Sequence, residues 1–579
     1  MEVDQQHFWH ELLPILKAIS TASFVTVDVE MSGISTKSRY SPGGRFNETG
    51  KPSLQQQYED TKEAAERYQV LQIGLTCVEE DWKNGVYTAR PYNFNINPLL
   101  EDGDKLDIYR DITLSSSSMH FLRKNCFDIG AVFTKGISYI SRKEQAQARQ
   151  AFIDRQNRNS TIPDIEISPG DQATLNFYRN ARKQLLDWTD PRNKAEREAM
   201  AFYNVAVPGG LSGYQRRLVY QLVRTEFKEY RAFLPRKNAD FVQVEKMDSA
   251  KEAKIAASKI VTNEAQLSKQ VGFRYIFEAL AGGDLSNIGP NWFCVGPTGE
   301  SAFIDTSLKK LELSSLTKTL AAKSRVLVGH NLFTDLIFLY HTFIGNLPPT
   351  VTEFQQKIHA LFPMVIDTKY MATRKTLIDS RQSSSLQDLH QDLKSQRIPQ
   401  ICLPEEFRSY QNRHLLHEAG YDSYLTAQIF LKLAAKLDVS VPNHNDATHA
   451  VDPFELSTGS ADSTSSDDDG GGVLLNPPPD APHSANRFQI LSEPSPVKKK
   501  ARQASLLDSD IEDDMTGSPP LGQDGTASVL ANAARGNDFV PPLTAPFWRV
   551  YANKLRVYGT MDEVCELDGD GAGEVAHSN

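Results

Sequence analysis

Three short segments of the chain place acidic side chains inside otherwise apolar stretches. Asp28 and Glu30 are two residues apart on a predicted strand, so both side chains leave the same face of the sheet. Asp335 lies one turn into an apolar helix, Asp422 begins another, and His417 lies five residues before Asp422. Each acid alone is more simply explained as a helix cap or a paired surface charge. Their joint occurrence favours one common site.

Carboxylates gathered at one edge of a sheet repel one another unless cations neutralise them. Hard oxygen ligands are those that Mg²⁺ and Mn²⁺ prefer. Two such ions, about 3.5 to 4 Å apart, can hold the attacking and leaving oxygens of a phosphoryl displacement. The attacking water then needs a base, and a histidine with an ordinary pKa near about 6.5 suits that role. The pattern thus predicts a two-metal hydrolytic site with His417 as the base.

Strands and helices must alternate to bring these segments together. We predict strands at 24–30, 70–77, 92–96 and 325–329, and helices at 7–19 and 332–340. This order predicts an α/β fold, a mixed sheet with helices on its faces. Residues 146–263 are rich in Arg, Lys, Gln and Glu and have their own helix and strand patterns, which is typical of an inserted module.

The charge of the 579-residue chain is unevenly distributed. The formal net charge is −10, and residues 456–579 alone contain 9 Lys and Arg against 19 Asp and Glu. The preceding body is therefore electroneutral, and the acidic total does not exclude a nucleic-acid partner. We predict nuclease segments at 1–145 and 264–455, a disordered acidic linker at 456–540, a hairpin at 541–560 and a disordered acidic tail at 561–579.

Composition excludes several other classes of protein. The five cysteines are far apart and odd in number, so neither a disulfide framework nor a CxxC zinc site can be drawn. No apolar run approaches the roughly 20 residues that a membrane helix needs, and residues 1–10 are unlike a signal peptide. We expect a soluble protein of the nucleus and/or cytoplasm. The basic cluster Lys498–Lys500 is a candidate nuclear signal, with a solvated charge run as the equal alternative.

The order Asp-x-Glu, Gly-His-Asn-x-x-x-Asp and His-x-x-x-x-Asp resembles the DEDDh 3′ exonucleases. Within them, the blocks 28–34, 328–331, 366–369 and 417–422 are similar to those of the poly(A)-specific ribonuclease family, as is the block Ser115–Leu122. The resemblance covers about residues 5 to 440 and is loose in the insert. It suggests a fungal-type or divergent member.

The resemblance implies a ribonuclease-H-like exonuclease fold, interrupted by a small single-strand-binding α/β module. It implies removal of 5′-nucleotides from the 3′ end of single-stranded RNA, with poly(A) as the expected substrate. Asp28, Glu30, Asp335 and Asp422 would bind two Mg²⁺, or Mn²⁺, and His417 would be the general base. A homodimer is possible by the same resemblance, and no membrane partner is expected.

Other residues carry weaker predictions. By resemblance, Lys369 would contact RNA and Ile34 would line the bed for the terminal base. Arg216 and Arg217 in the insert could follow a phosphate backbone, although a solvated helix face is as good an explanation. Asp367 is a fifth acid near the site by resemblance alone, and capping of the next helix explains it equally well.

Three alternative functions remain open on the sequence. The same metal chemistry would serve a trimmer of small non-coding RNA 3′ ends or a DNA exonuclease, because the fold does not separate them. A catalytically silent RNA-binding scaffold is the alternative from another class. The presence of all four carboxylates argues against it.

Overall fold

The computed structural model describes residues 1–36, 51–81, 83–100, 106–161, 163–190, 192, 201–235, 240–374, 384–411, 417–440 and 540–569. Contacts divide the chain into two compact units. The second consists mainly of residues 146–268, and the first contains most of the remainder. The predicted linker 456–540, apart from Val540, lies outside the described residues, as do Lys498–Lys500 and residues 570–579.

The first unit is built on an eight-stranded mixed sheet. Its strands are β1 (Glu2–Val3), β2 (Phe24–Met31), β3 (Val70–Asp81), β4 (Val86–Asn97), β5 (Ile137–Ser138), β9 (Val326–Gly329), β10 (Met364–Asp367) and β11 (Gln400–Cys402). The main order is β1-β4-β3-β2-β9-β10, and β5 and β11 pair with β4. Strands β2, β3 and β4 run antiparallel in sequence, whereas β9 and β10 continue the sheet parallel to β2. The four predicted strands are confirmed, and this topology is the ribonuclease-H-like α/β fold.

Helices of the first unit cover the sheet. They are α1 (Phe8–Thr21), α2 (Leu54–Arg67), α3 (Ser116–Lys124), α4 (Ile129–Thr134), α9 (Arg274–Ala281), α10 (Thr306–Ala322), α11 (Phe333–Phe343), α12 (Val351–Leu361), α13 (Thr368–Thr373), α14 (Leu386–Asp392) and α15 (Ala419–Ser440). Among the helices of the described ranges, none combines the length and apolar content that crossing a membrane requires.

The second unit has a sheet of its own. Strands β6 (Phe202–Ala206), β7 (Tyr230–Phe233) and β8 (Phe241–Lys246) pair antiparallel in the order β6-β8-β7. Helices α6 (Gln172–Thr189) and α7 (Gly213–Glu226) contribute to its core, with Leu185 and Leu222 fully buried. Two long helices, α5 (Arg142–Thr161) and α8 (Ser249–Gln270), lie at the ends of this insert.

Residues 540–569, here called the C-terminal segment, correct the predicted hairpin. Residues Pro546–Val550 form a 3₁₀-helix, and the hairpin joins β12 (Lys554–Arg556) to β13 (Val564–Glu566). Within this 3₁₀-helix, Trp548 is buried and stacks on Phe430 instead of joining a strand ladder. The tail predicted as disordered therefore contains a strand in residues 561–569. Its apolar positions Cys565 and Leu567 are buried, a two-residue alternation that acidic neighbours obscured.

Helix α15 begins directly on strand β3. A Cβ atom at Gly74 would lie 1.7 Å from the carbonyl oxygen of Ala419, so only glycine permits this approach. Two side chains of the strands accept hydrogen bonds from the first turn of the helix. Gln72 Oε1 accepts from the Ala419 N–H at 2.9 Å, and Asn93 Oδ1 accepts from the Gly420 N–H at 3.0 Å. The first amides of a helix have no partner within the helix, so the sheet supplies one.

We expect Gly74→Ala to lower the free energy of unfolding by about 3 kcal/mol, because the new methyl group forces the start of α15 away from the sheet. Urea unfolding followed by circular dichroism measures this change. Gly213→Ala is the matched control, since a Cβ there meets no atom within 4 Å. Equal stability of the two variants would contradict the close approach.

A second prediction concerns Asn553, which joins the C-terminal segment to β10. Its Oδ1 accepts from the Val365 N–H at 3.0 Å, its Nδ2 donates to the Pro363 carbonyl at 3.1 Å, and its φ is 60°. We expect Asn553→Ala to cost about 2 to 3 kcal/mol of unfolding free energy, from lost buried hydrogen bonds and a strained φ.

Asn553→Gly separates the two causes, because glycine accepts the positive φ but lacks the amide. Its stability in urea should fall between Asn553→Ala and the wild type. A glycine variant as stable as the wild type would show that the amide contributes nothing.

Candidate active site

Strand pairing places two rows of polar side chains on one face of the sheet. Asp28 pairs with Gly74, which pairs with Asn93 on the other side. Glu30 likewise pairs with Gln72, which pairs with Asn95. Directly paired residues project from the same face. The two acids of β2 therefore face the start of α15, which rests on Gly74, Gln72 and Asn93.

Helix α15 brings its own groups to this face. One ligand atom each from Glu30, His417 and Asp422 lies within 4.8 Å of the others. Glu30 and Asp422 are buried and His417 is half-buried. The three residues come from two segments almost 390 positions apart, and the tertiary fold brings them together.

The backbone of His417 has an unusual conformation. Its φ is 68°, a left-handed value that costs a side-chain-bearing residue about 1 to 3 kcal/mol. Its N–H donates to Asp422 Oδ2 at 3.3 Å, and the imidazole and the Phe121 ring pack edge to face with their centroids 4.8 Å apart. Carboxylate and ring together restrict where the imidazole can point. Phe121 belongs to the Ser115–Leu122 block, which was noted for resemblance alone.

The remaining predicted acids lie on neighbouring elements. Asp28 is buried on β2, and Asp335 is buried in the first turn of α11, which follows β9. Neither belongs to the three-residue cluster of Glu30, His417 and Asp422. Strands β2, β9 and β10 are parallel, so their carboxyl ends share one edge of the sheet. Asp335 enters from that edge.

A second polar network orients the strand amides. Glu2 accepts from Asn93 Nδ2 at 2.7 Å and from Asn95 Nδ2 at 2.9 Å, and Gln72 Nε2 donates to Asn95 Oδ1 at 3.1 Å. Burial raises the pKa of Glu2, and the Asn93 bond opposes that rise. Asn93 presents its oxygen to the helix start because Glu2 accepts from its amide nitrogen, and Gln72 does so because Asn95 accepts from its amide nitrogen. Sequence reasoning missed this network, although polar residues within buried strands were a visible signal.

Asp367 connects three segments of the chain through hydrogen bonds to its carboxylate. Its Oδ1 accepts from the N–H groups of Asn331 and Lys369, both at 2.9 Å, and its Oδ2 accepts from the Arg556 N–H at 3.0 Å. Burial raises the pKa of Asp367, and these three backbone donors oppose the rise. It caps α13, as the simpler explanation held, and also ties three segments together. Beside it, His330 Nδ1 lies 3.0 Å from Thr368 Oγ1.

The predicted RNA contacts are scattered over both units. Ile34 is half-buried just after β2, and Lys369 is buried after β10. In the second unit, Arg216 Nε donates to the Leu211 carbonyl and Arg217 Nη2 to the Pro163 carbonyl, both at 3.1 Å. Each arginine therefore uses one of its N–H groups in a hydrogen bond to the backbone of the insert.

The donor set fits a hard divalent cation. The cluster supplies two buried carboxylates and a histidine, the buried acids Asp28 and Asp335 lie on neighbouring elements, and no cysteine is among these residues. Buried acids at such density need positive charge nearby. Mg²⁺ or Mn²⁺ meets both conditions.

Comparison with known proteins identifies relatives of this chain. The chain is 26% identical over 445 residues to the poly(A)-specific ribonuclease PARN of Xenopus laevis, covering 75% of the chain and 62% of that protein. It is 22% identical to the pre-piRNA 3′-exonuclease trimmer of Bombyx mori, covering 75% of the chain and 71% of the relative. The chain thus spans about three fifths of the length of the PARN proteins it matches.

A solved structure, the Mg²⁺- and Mn²⁺-bound form of Pop2p from Schizosaccharomyces pombe, aligns with a TM-score of 0.32 and 14% identity, covering 75% of this chain and 92% of that one. The family model described as CAF1 family ribonuclease matches residues 3–430, nearly the whole nuclease body together with its insert. The chain therefore belongs to the CAF1 family of ribonucleases.

Proposed function

We propose that this protein is a Mg²⁺-dependent 3′→5′ exoribonuclease of the DEDDh type that shortens poly(A). The observation that carries the proposal is the meeting of Glu30, His417 and Asp422 within 4.8 Å, in a chain of the CAF1 ribonuclease family. Relatives named as poly(A)-specific ribonuclease and as a pre-piRNA 3′-exonuclease support action at RNA 3′ ends.

The chain's own residues divide the work. Asp28, Glu30, Asp335 and Asp422 would hold two divalent ions, which when bound supply positive charge beside the attacking and leaving oxygens of the scissile phosphate. His417 would accept the proton of the attacking water. The Phe121 ring and the Asp422 carboxylate would hold His417 in position for that transfer.

Substrate positioning would use residues of each of the two units. Ile34, half-buried after β2, would line the bed for the terminal base, and Lys369 would contact the RNA. Arg216 and Arg217 would approach phosphates with the guanidinium N–H groups that are not bonded to backbone carbonyls of the insert. Residence in the nucleus and/or cytoplasm and a homodimer stay predictions from the family resemblance.

Substitution of one proposed metal ligand tests the site. With 5′-labelled 20-nucleotide oligo(A) and Mg²⁺, the wild type should give a ladder that shortens from the 3′ end. A chelator should abolish it, and Asp335→Ala should slow trimming by more than about 100-fold. Loss of a residue that only hydrogen-bonds to a metal ligand already lowers activity by up to about 100-fold, and loss of a ligand itself should lower it at least as much. Gel electrophoresis of timed samples measures the rate.

Asp392→Ala is the matched control, since Asp392 is an exposed acid on another helix. Trimming by Asp335→Ala at the wild-type rate would show that the proposed site is wrong. The same assay on mixed-sequence RNA and oligo(dA) separates the alternatives. Equal rates on both RNAs would favour a general 3′ trimmer, a preference for oligo(dA) a DNA exonuclease, and tight binding without turnover a scaffold.

A further inference from the structure

The C-terminal segment extends the catalytic sheet beyond its last strand. The Asn553 N–H donates to the Val365 carbonyl at 2.7 Å, and Ile366 forms an antiparallel bridge with Ala552. The segment therefore lies beside β10, on the side away from β9. The Arg556 N–H then reaches the buried carboxylate of Asp367 at 3.0 Å, at the end of β10.

Burial shows that this docking is a constant part of the fold. Trp548, Leu555, Cys565 and Leu567 are each at most 2% exposed. Exposing so many large apolar side chains would cost far more than the contact of one ligand group returns. The segment is therefore a permanent part of the folded nuclease unit, and substrate binding does not displace it.

The segment carries a cluster of cations to the edge where the active site lies. Lys369 Nζ lies 4.8 Å from the centroid of the Tyr558 ring, and the Arg556 guanidinium carbon lies 4.6 Å from the same ring. Adjacent strands are about 4.8 Å apart, so the stretch of the segment that pairs with β10 lies roughly 14 Å from β2, with β9 and β10 between them. A cluster on this flank would meet nucleotides upstream of the scissile bond.

The charges of this flank suit phosphates. Three cations lie on this flank, Lys51, Lys369 and Arg556, together with the carboxylates of Glu563 and Asp367. Glu563 is shared, since it binds Lys51 at 3.0 Å and Arg556 at 2.9 Å. Asp367 is occupied by three backbone N–H groups. An aromatic face attracts cations without cancelling their charge, so Tyr558 can order both side chains and leave positive potential for RNA.

We propose that the C-terminal segment is part of the RNA-binding surface, with Tyr558 as a positioning residue that holds Lys369 and Arg556 toward upstream phosphates. The inference rests on the proposed function and extends it to a segment outside the region that the family model matches. It also makes the segment, joined to α15 through residues 441–539, a functional part of the enzyme.

The test measures binding apart from turnover. Fluorescein-labelled 20-nucleotide oligo(A) is titrated with the full-length protein in chelator at several KCl concentrations, so the result does not depend on catalysis. Tyr558→Ala should weaken binding about tenfold and reduce the slope of log Kd against log salt by about 1. Tyr558→Phe, which retains the ring, should bind as the wild type does. In Mg²⁺, Tyr558→Ala should raise KM for the 20-mer and leave kcat unchanged.

Met561→Ala is the control, because Met561 is exposed on the same segment. Arg556→Gln provides a second variant and should weaken binding similarly, which keeps the proposal testable if Tyr558→Ala misfolds. Unchanged affinity in folded Tyr558→Ala and Arg556→Gln would overturn the proposal. Tighter binding by Tyr558→Ala would also overturn it, since the ring would then be shielding Lys369. A wild type that binds but never trims would refute the proposed function and leave this test valid.

Discussion

The active-site architecture depends on one close approach, the seating of α15 on strand β3. Gly74 lacks the Cβ atom that would collide with the Ala419 carbonyl, and Gln72 and Asn93 accept the N–H groups of Ala419 and Gly420. Without this seating, the helix that carries Asp422 could not face the acids of β2. Its position is maintained further along by Ser423, whose carbonyl accepts from Thr26 at 2.7 Å and whose hydroxyl meets Thr76 at 2.8 Å.

A second constraint acts at the other end of the same sheet edge. Asp367 is completely buried and accepts three backbone N–H bonds, from Asn331, Lys369 and Arg556. A buried carboxylate is expensive unless its lone pairs are used, and here backbone donors use them. Asp367 thereby holds the loop after β9, the helix after β10 and the C-terminal segment in fixed positions relative to one another. Asp367 thus serves the architecture in which its neighbours would do chemistry.

The seating of α15 on β3 and the three hydrogen bonds of Asp367 explain why such a polar edge of the sheet can be stable. Strand amides and a buried aspartate satisfy backbone N–H groups around the site, and Glu2 in turn accepts from the amides of Asn93 and Asn95. The acids of β2, α11 and α15 therefore remain available to it. The strain at His417, with φ at 68°, and at Asn331, with φ at 62°, occurs where these contacts determine the chain path. Left-handed residues persist only where the surroundings impose them, and they concentrate at functional sites.

The sequence by itself was sufficient for the central strands, the flanking helices and the order of the acids. Apolar periodicity is local, and an acid within an apolar run stands out wherever it occurs. It was insufficient for the C-terminal segment, where the strand was placed too early and the acidic residues after 560 were assigned to disorder. There the outcome depends on contacts with Phe430, Val365 and Asp367, more than a hundred residues away. Residue type and spacing determined which groups could do chemistry, whereas only the tertiary structure decided which of them meet, because long-range packing sets distances that no local pattern contains.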